Sequence, residues 1–255
     1  MTKPYLIRTP EFRVDSGGIR VMWGLYGWLL AKGQVALLNA QVNDHEAIGI
    51  YPEIYHGNEL NATKVIRYIL QKPGMMGQGT PGVNFRAGPT HFNDSDEIYV
   101  FSKVYDQWDV DDDHILFLPI IDLNTFKNHH KIRYNKAFYV GKGQNLEEHP
   151  KEAIELTRDM TQDQEKLALF LNDCQVLYVY DRMSAIMEIT RLCGCKVVYL
   201  GDLPLSQLEL YEPGMNGLGY REEVDFHCED FRTHYQELIF TFSKRLDRFI
   251  ESTQT

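Results

Sequence analysis

The sequence predicts a doubly wound α/β protein built as two successive series, and three observations carry that prediction. Short apolar runs rich in β-branched and aromatic residues recur along the chain. Segments with apolar residues at helical spacing lie between them. The stretch 176–201, VLYVYDRMSAIMEITRLCGCKVVYLG, holds a complete strand–helix–strand unit of the kind that builds a parallel sheet.

In the first series, residues 5–8 read as a strand. Asp15-Ser16-Gly17-Gly18 follows, and a helix covers 19–31, with Met22, Leu25, Tyr26 and Leu29 on one stripe and Gly33 as its stop. Residues 35–38 are the next strand. A loop and helix then lead to a strand at 48–51, which ends in Tyr51-Pro52-Glu53. Residues 61–70 read as a helix closed by Pro73-Gly74, and 98–101 and 115–118 as further strands. Residues 73–96 contain Gly74, Gly77, Gly79, Gly82, Gly88 and three prolines. A loop of that length inside a domain is expected to border a site or to be poorly ordered.

Residues 119–135 connect the two series. The second opens with a strand at 137–140, followed by Gly141-Lys142-Gly143, and continues with a strand at 153–157. Thr161-Gln162-Asp163-Gln164 has the pattern of a capping box and opens a helix with Leu167, Phe170, Leu171 and Cys174 on one face. In the strand–helix–strand unit, 176–180 is the first strand and Asp181-Arg182-Met183-Ser184 the turn, with Asp181 or Ser184 as N-cap. Residues 185–193 are the helix, Gly194 closes it, and 196–200 form the second strand. Phe231, Tyr235, Leu238, Phe242, Leu246 and Phe249 recur at steps of three and four, the mark of a long amphipathic helix. No repeat of fixed period is present, but both halves read as Rossmann-like. The expected organisation is 1–118, a connector at 119–135, 136–220, and a last helix within 221–255 that packs across the domains.

Composition narrows the function classes. The 255 residues are 44% hydrophobic and 24% charged, with 36 acidic against 26 basic side chains and a net charge of −10. That balance argues against a protein that coats nucleic acid and gives no support for a strongly basic membrane patch. A local basic pocket for a phosphorylated ligand stays compatible with it. No apolar run approaches the roughly 20 residues of a transmembrane helix. The start, MTKPYLIRTPEF, lacks the apolar core of a signal peptide. A cytoplasmic protein is expected, with peripheral placement at a membrane surface left open. Cys193-Gly194-Cys195 is too closely spaced for a usual zinc site, so all four cysteines read as buried small hydrophobes.

Five local patterns bear on chemistry. Gly17-Gly18 lies between a strand and a helix, where glycine either lets a ligand approach backbone amides or simply makes a tight turn. Gly141-Lys142-Gly143 also follows a strand. It lacks the third glycine of a dinucleotide fingerprint, so it is either an ordinary loop or a lysine poised for a diphosphate. Asp109-Val110-Asp111-Asp112-Asp113 contains D-x-D, which reads mainly as a solvated acidic turn. His129-His130 lacks metal-ligand spacing. Glu188 is flanked by Ala185, Ile186, Met187 and Ile189. A carboxylate on such a helix either lies on its solvent stripe or has a partner, and ribose hydroxyls are one candidate.

Several of these pieces together resemble the GT-B glycosyltransferases, specifically the bacterial, retaining, family 4-like group that includes rhamnosyltransferases of surface polysaccharides. They are SGGIR at 16–20, YPEI at 51–54 with GN at 57–58, VIRYILQKPG at 65–74, FYVGKG at 138–143 and YDRMSAIMEITRLCGCKVV at 180–198. The resemblance implies two Rossmann-like domains facing a cleft, with a nucleotide-sugar donor on the C-terminal domain and a carbohydrate acceptor on the N-terminal one. It implies that Glu188 binds the donor ribose. Asp181 and Ser184 would lie near the donor sugar or diphosphate, and Lys142, on its Gly141 turn, would neutralise the diphosphate leaving group. Arg158 is a second candidate for that charge. Gly17, Gly18 and Glu53 would line the N-terminal side. No bound metal or cofactor is implied. Where the family carries a glutamate eight residues before the ribose glutamate, this chain has Tyr180, with Asp181 adjacent. Two rivals are a metal-dependent GT-A-type transferase using Asp109 and Asp111, and a non-catalytic nucleotide- or sugar-binding module.

Overall fold

Ten strands form two separate five-stranded sheets among the residues described by this computed structural model, 2–40, 46–77 and 86–255. Every pairing within them is parallel. Each sheet belongs to its own compact unit. The first unit comprises Met1–Pro119 and Ile239–Thr255, and the second Ile120–Leu238.

In the first unit the elements are β1 (Tyr5–Ile7), α1 (Gly17–Ala31), β2 (Ala36–Leu38), β3 (Ile48–Pro52), β4 (Lys64–Ile69) and β5 (Glu97–Val100), and the strand order is β2-β1-β3-β4-β5. β1 and β3 are buried at every position, as expected of strands inside a parallel sheet. α1 buries Val21, Met22, Leu25 and Leu29, while Tyr26 is only half-buried. Gly33 follows with a φ of 75°, and its N–H caps Leu30 O. The last turns of the C-terminal helix belong to this unit. Phe249 stacks on Tyr5 with centroids 5.8 Å apart and meets Tyr99 edge-on at 4.9 Å, and Phe242 meets Trp28 edge-on at 5.5 Å.

Two elements of this unit differ from expectation. Residues 61–70 do not form a helix, because 64–69, KVIRYI, is the strand β4. The apolar residues of this segment fit both periods, but a six-residue run with branched side chains is strand length, and its last four residues are all buried. Residues 115–118 make a single bridge, Val100 to Ile115, after a 3₁₀ turn at Asp112–His114. The helix expected before β3 falls partly on residues 41–45, outside the described residues. So do Gly79 and Gly82 of the glycine-rich loop. In its described parts the two arms of that loop lie close together. A Cβ at Gly88 would meet the backbone of Met76 and come within 3.5 Å of Glu53 O.

The second unit contains β6 (Asn135–Tyr139), β7 (Ile154–Glu155), α2 (Gln164–Asn172), β8 (Cys174–Val179), α3 (Ile186–Leu192), β9 (Lys196–Tyr199), α4 (Leu205–Leu208), β10 (Leu218–Tyr220) and the start of α5 (Cys228–Gln254). Its strand order is β10-β9-β8-β6-β7. Counted from each unit's first strand, both sheets therefore have the order 2-1-3-4-5. β7 is a two-residue exposed strand, shorter than the run 153–157 suggests. α2 is capped by Asp163, whose side chain accepts from Lys166 N, and not by a box starting at Thr161. Residues after Pro119 pack into this unit. Arg133 donates to the carbonyls of Leu171 and Cys174, each at 3.0 Å, and to Cys193 O at 2.5 Å. The Asn172 amide accepts from His129 N and donates to Lys127 O. Among the described residues no helix is long and apolar enough to cross a membrane.

Candidate functional site

In a sheet of order 2-1-3-4-5 the connections diverge between the first and third strands, and ligands bind outside the carboxyl ends of that pair. In the second unit the pair is β6 and β8. Tyr139 and Val179 are register partners at their ends. Two residues beyond each lie Gly141 and Asp181. The register therefore brings these two together, and a Cβ at Gly141 would fall 2.7 Å from Asp181 Cγ. Gly141 has a φ of 56°, so the turn requires glycine on conformational grounds as well. The Gly143 N–H closes the turn on Val140 O at 2.8 Å.

Asp181 is buried, with 5% of its surface exposed. Its carboxylate accepts hydrogen bonds from the Lys142 backbone N–H and the Ser184 side chain. Burial pushes its pKa up to about 6, and the Lys142 charge, those two hydrogen bonds and the Arg158 charge act in the opposite direction. The structure thus gathers Gly141, Lys142, Arg158, Asp181 and Ser184 around one carboxyl group. Neither Asp181 nor Ser184 caps α3: the N-cap is Ala185, and it makes no side-chain capping bond.

Glu188 is not on a solvent stripe. It is buried, as is every residue of α3. Tyr211 donates its hydroxyl to Glu188 Oε1. One turn on, Arg191 is fully buried. It donates from Nη1 to Gly214 O at 2.7 Å and Asn216 O at 3.1 Å, and stacks over Phe231 at 4.1 Å. Burial lowers the Arg191 pKa to about 10, with the electrostatic influence of Tyr211, Glu188 and Tyr235 acting in the opposite direction. Glu188 is thus a buried carboxylate bonded to Tyr211, and its charge favours the Arg191 cation, which holds the loop before β10.

Sequence reasoning singled out Tyr180 without its partners and gave no role to Glu148, His149 or Arg221. The Tyr180 hydroxyl accepts the backbone N–H groups of Glu148 and His149 and pairs with His149 Nδ1 at 2.8 Å. The His149 ring stacks on Phe138 with centroids 3.8 Å apart. Arg221 pairs with Glu148. The loop between β6 and β7 is thereby tied to the ends of β8 and β10. A tyrosine ending a strand gives no such signal in sequence.

In the first unit the corresponding strand pair is β1 and β3. Glu53, just past β3, is 3% exposed and accepts from Leu70 N at 2.9 Å. A Cβ at Gly18 would lie 3.5 Å from Leu70 Cδ1, so Gly18 and Glu53 flank the same residue. Beyond its chain neighbours and its own helix backbone, no atom of the described residues lies within 4 Å of a Cβ at Gly17. Ser16, the N-cap of α1, makes no side-chain capping bond. Beside this region Arg67 is 1% exposed, pairs with Asp96 at 2.7 Å, and lies over the rings of Tyr51 and Phe92.

The acidic run is engaged in structure. The Asp111 carboxylate accepts from Asp113 N, His114 N and, at 2.7 Å, His114 Nδ1, and Asp113 pairs with Arg248. Among the described residues no group of three His, Cys, Asp or Glu side chains could hold a metal ion. Cys174, Cys193 and Cys195 are buried thiols whose pKa values burial raises, and Cys228 is half-buried.

No protein-family model and no curated protein matches the chain. Among solved structures, an uncharacterised protein of Klebsiella pneumoniae subsp. pneumoniae aligns over 82% of this chain and 87% of its own, at 13% identity and a TM-score of 0.41. The C-terminal part of Escherichia coli RcsC, with its linker region and phosphoreceiver domain, aligns over 99% of this chain and 96% of its own, at 11% identity and a TM-score of 0.23.

Proposed function

We propose that the protein is a glycosyltransferase of GT-B type that takes a sugar from a nucleoside-diphosphate donor to a carbohydrate acceptor, with retention and without a bound metal, in glycan or polysaccharide assembly. The observation that carries the reading is the convergence of Gly141, Lys142, Arg158, Asp181 and Ser184 at the divergence point of a parallel sheet. Backbone and side-chain donors with two cations at such a point suit a diphosphate. The sequence pieces at 138–143 and 180–198, which carry the glycosyltransferase resemblance, are the two that build this place. On this reading Lys142 and Arg158 stabilise the charge that develops on the departing diphosphate, and Asp181 and Ser184 lie next to it.

Glu188 takes a second duty on this reading, because its carboxylate already serves Tyr211 and Arg191. Ribose recognition at Glu188 requires the Tyr211 hydroxyl to share or yield its acceptor.

Melting curves with uridine, thymidine and guanosine diphosphates test the donor site. A ligand at 100 times its Kd raises stability by about 2.7 kcal/mol. Chromatography of nucleotide-sugar donors, with and without saccharide acceptors, then tests turnover. Binding without donor consumption moves the assignment to a non-catalytic module. Failure of every nucleotide to bind overturns the reading.

A further inference from the structure

On the donor-site reading, Asp181 occupies the place where the ligand anion would be held. The Lys142 backbone N–H and the Ser184 side chain, which bond its carboxylate, are donors that a phosphate oxygen would use. The groups around it are Lys142 after β6, Arg158 after β7, Ser184 before α3, and Tyr199 on β9, whose hydroxyl is made less acidic chiefly by burial, with Asp202 and Asp181 adding to that and Arg182 opposing it. The Gly141 turn admits no side chain between itself and the carboxyl group. A phosphate arriving beside an ionised Asp181 would place two anions in one desolvated space, which favours protonation of the weaker acid.

We infer that Asp181 is an internal stand-in for the ligand anion, and that a phosphorylated ligand enters this place only as the carboxyl takes up a proton. The inference rests on the donor-site reading above. One proton passes from solvent to an Asp181 carboxylate oxygen, and no bond of the ligand changes. The protonated carboxyl then donates a hydrogen bond where the carboxylate would repel.

Calorimetric titration with UDP-glucose, dTDP-glucose and GDP-mannose tests this, because their diester phosphates do not titrate near neutral pH. With the Asp181 pKa at about 6, affinity should fall roughly tenfold per pH unit above that value, in proportion to the competent fraction. Titrations in buffers of different ionisation enthalpy should show uptake of about one proton at pH above that value. Asp181→Asn should bind more tightly at alkaline pH, with affinity independent of pH and no proton uptake. Ser184→Ala removes a bond to the ionised form and should move the midpoint of the parent's profile to higher pH. Binding by the parent at constant affinity, without proton uptake, overturns the inference and leaves the donor site standing. No binding of any probe by either the parent or Asp181→Asn overturns both.

Discussion

Glu188→Ala tests whether the carboxylate on α3 is structural as well as a candidate ligand. The substitution removes the acceptor of the Tyr211 hydroxyl and the counter-charge of Arg191, while Arg191 stays bonded to Gly214 O and Asn216 O. With a pKa of about 10, Arg191 keeps its charge at neutral pH. It then lies buried without the charge of that carboxylate nearby. Leaving the buried Tyr211 hydroxyl without its acceptor costs about 1–3 kcal/mol. For a chain of this size that corresponds to a melting temperature lower by about 2–12 °C. Glu188→Gln keeps an acceptor for Tyr211 and loses only the charge, so a smaller loss, within about 1 kcal/mol, is expected. Urea denaturation and thermal melting followed by circular dichroism measure both. A Glu188→Ala protein within about 1 kcal/mol of the parent would refute the argument that this network secures the loop before β10. If Glu188 also binds ribose, Glu188→Gln should lose about 1.5–3 kcal/mol of nucleotide affinity.

Three other perturbations follow from the same geometry. An Asp181 pKa of about 6, against an ordinary 3.8, means that the folded state binds more protons between those values. Stability from this group therefore falls as pH rises through that window, and the ionised carboxyl costs the fold about 3 kcal/mol above it. Urea denaturation should find Asp181→Asn more stable than the parent near neutral pH, with the difference gone below the ordinary carboxyl pKa; an equal difference at both would refute the assignment. Gly141→Ala places a methyl against Asp181 at a φ of 56°, and should lower stability by about 1–3 kcal/mol and abolish nucleotide binding in calorimetry. Transfer activity should persist in EDTA, and Asp111→Ala should cost only about 0.5–2 kcal/mol through loss of a cap. Loss of activity on chelation, with rescue by Mn²⁺, would favour the metal-dependent alternative.

The site's geometry was partly legible in the sequence, for a physical reason. Parallel strands in register carry equal offsets past their ends to the same place. The strands 137–140 and 176–180 were legible, and their register, which pairs Tyr139 with Val179 and so brings Gly141 to Asp181, came only from the structure. Pattern alone misled at 61–70. A run such as KVIRYI satisfies helical and extended patterns alike, and only its neighbours β3 and β5 decide for the strand. The partners of Glu188 were not legible. Tyr211 lies 23 residues away, and Arg191 near the end of α3 reads as an ordinary cation favoured by the helix dipole. Its burial depends on the path of the chain before β10, which no local pattern records.

The two sheets share a strand order, and both pair arginines with carboxylates near their strands, but the second also places Lys142 at its divergence point. In the first unit, Arg8 after β1 pairs with Glu59 at 3.2 Å, and Arg67 in β4 pairs with Asp96 at 2.7 Å. Both arginines also face tyrosine rings, so their charges are spent on the fold. In the second unit Arg182 after β8 pairs with Asp202, and Arg221 after β10 pairs with Glu148 and faces the Tyr220 ring, while Lys142 after β6 acts on the Asp181 carboxyl, whose ionisation burial opposes. On the donor-site reading, lowering the pH through that pKa removes a negative charge that opposes an incoming anion and leaves Lys142 in place. Equal topology thus offers two divergence points of the same kind, and on the donor-site reading Lys142 assigns the anionic ligand to the ends of β6 and β8. Exchanging Lys142 for methionine should abolish nucleotide binding in calorimetry while leaving the melting temperature within a few degrees of the parent, since an exposed lysine outside ion pairs contributes within about 0.5 kcal/mol to stability. Retained affinity in that protein would show that the selecting charge lies elsewhere.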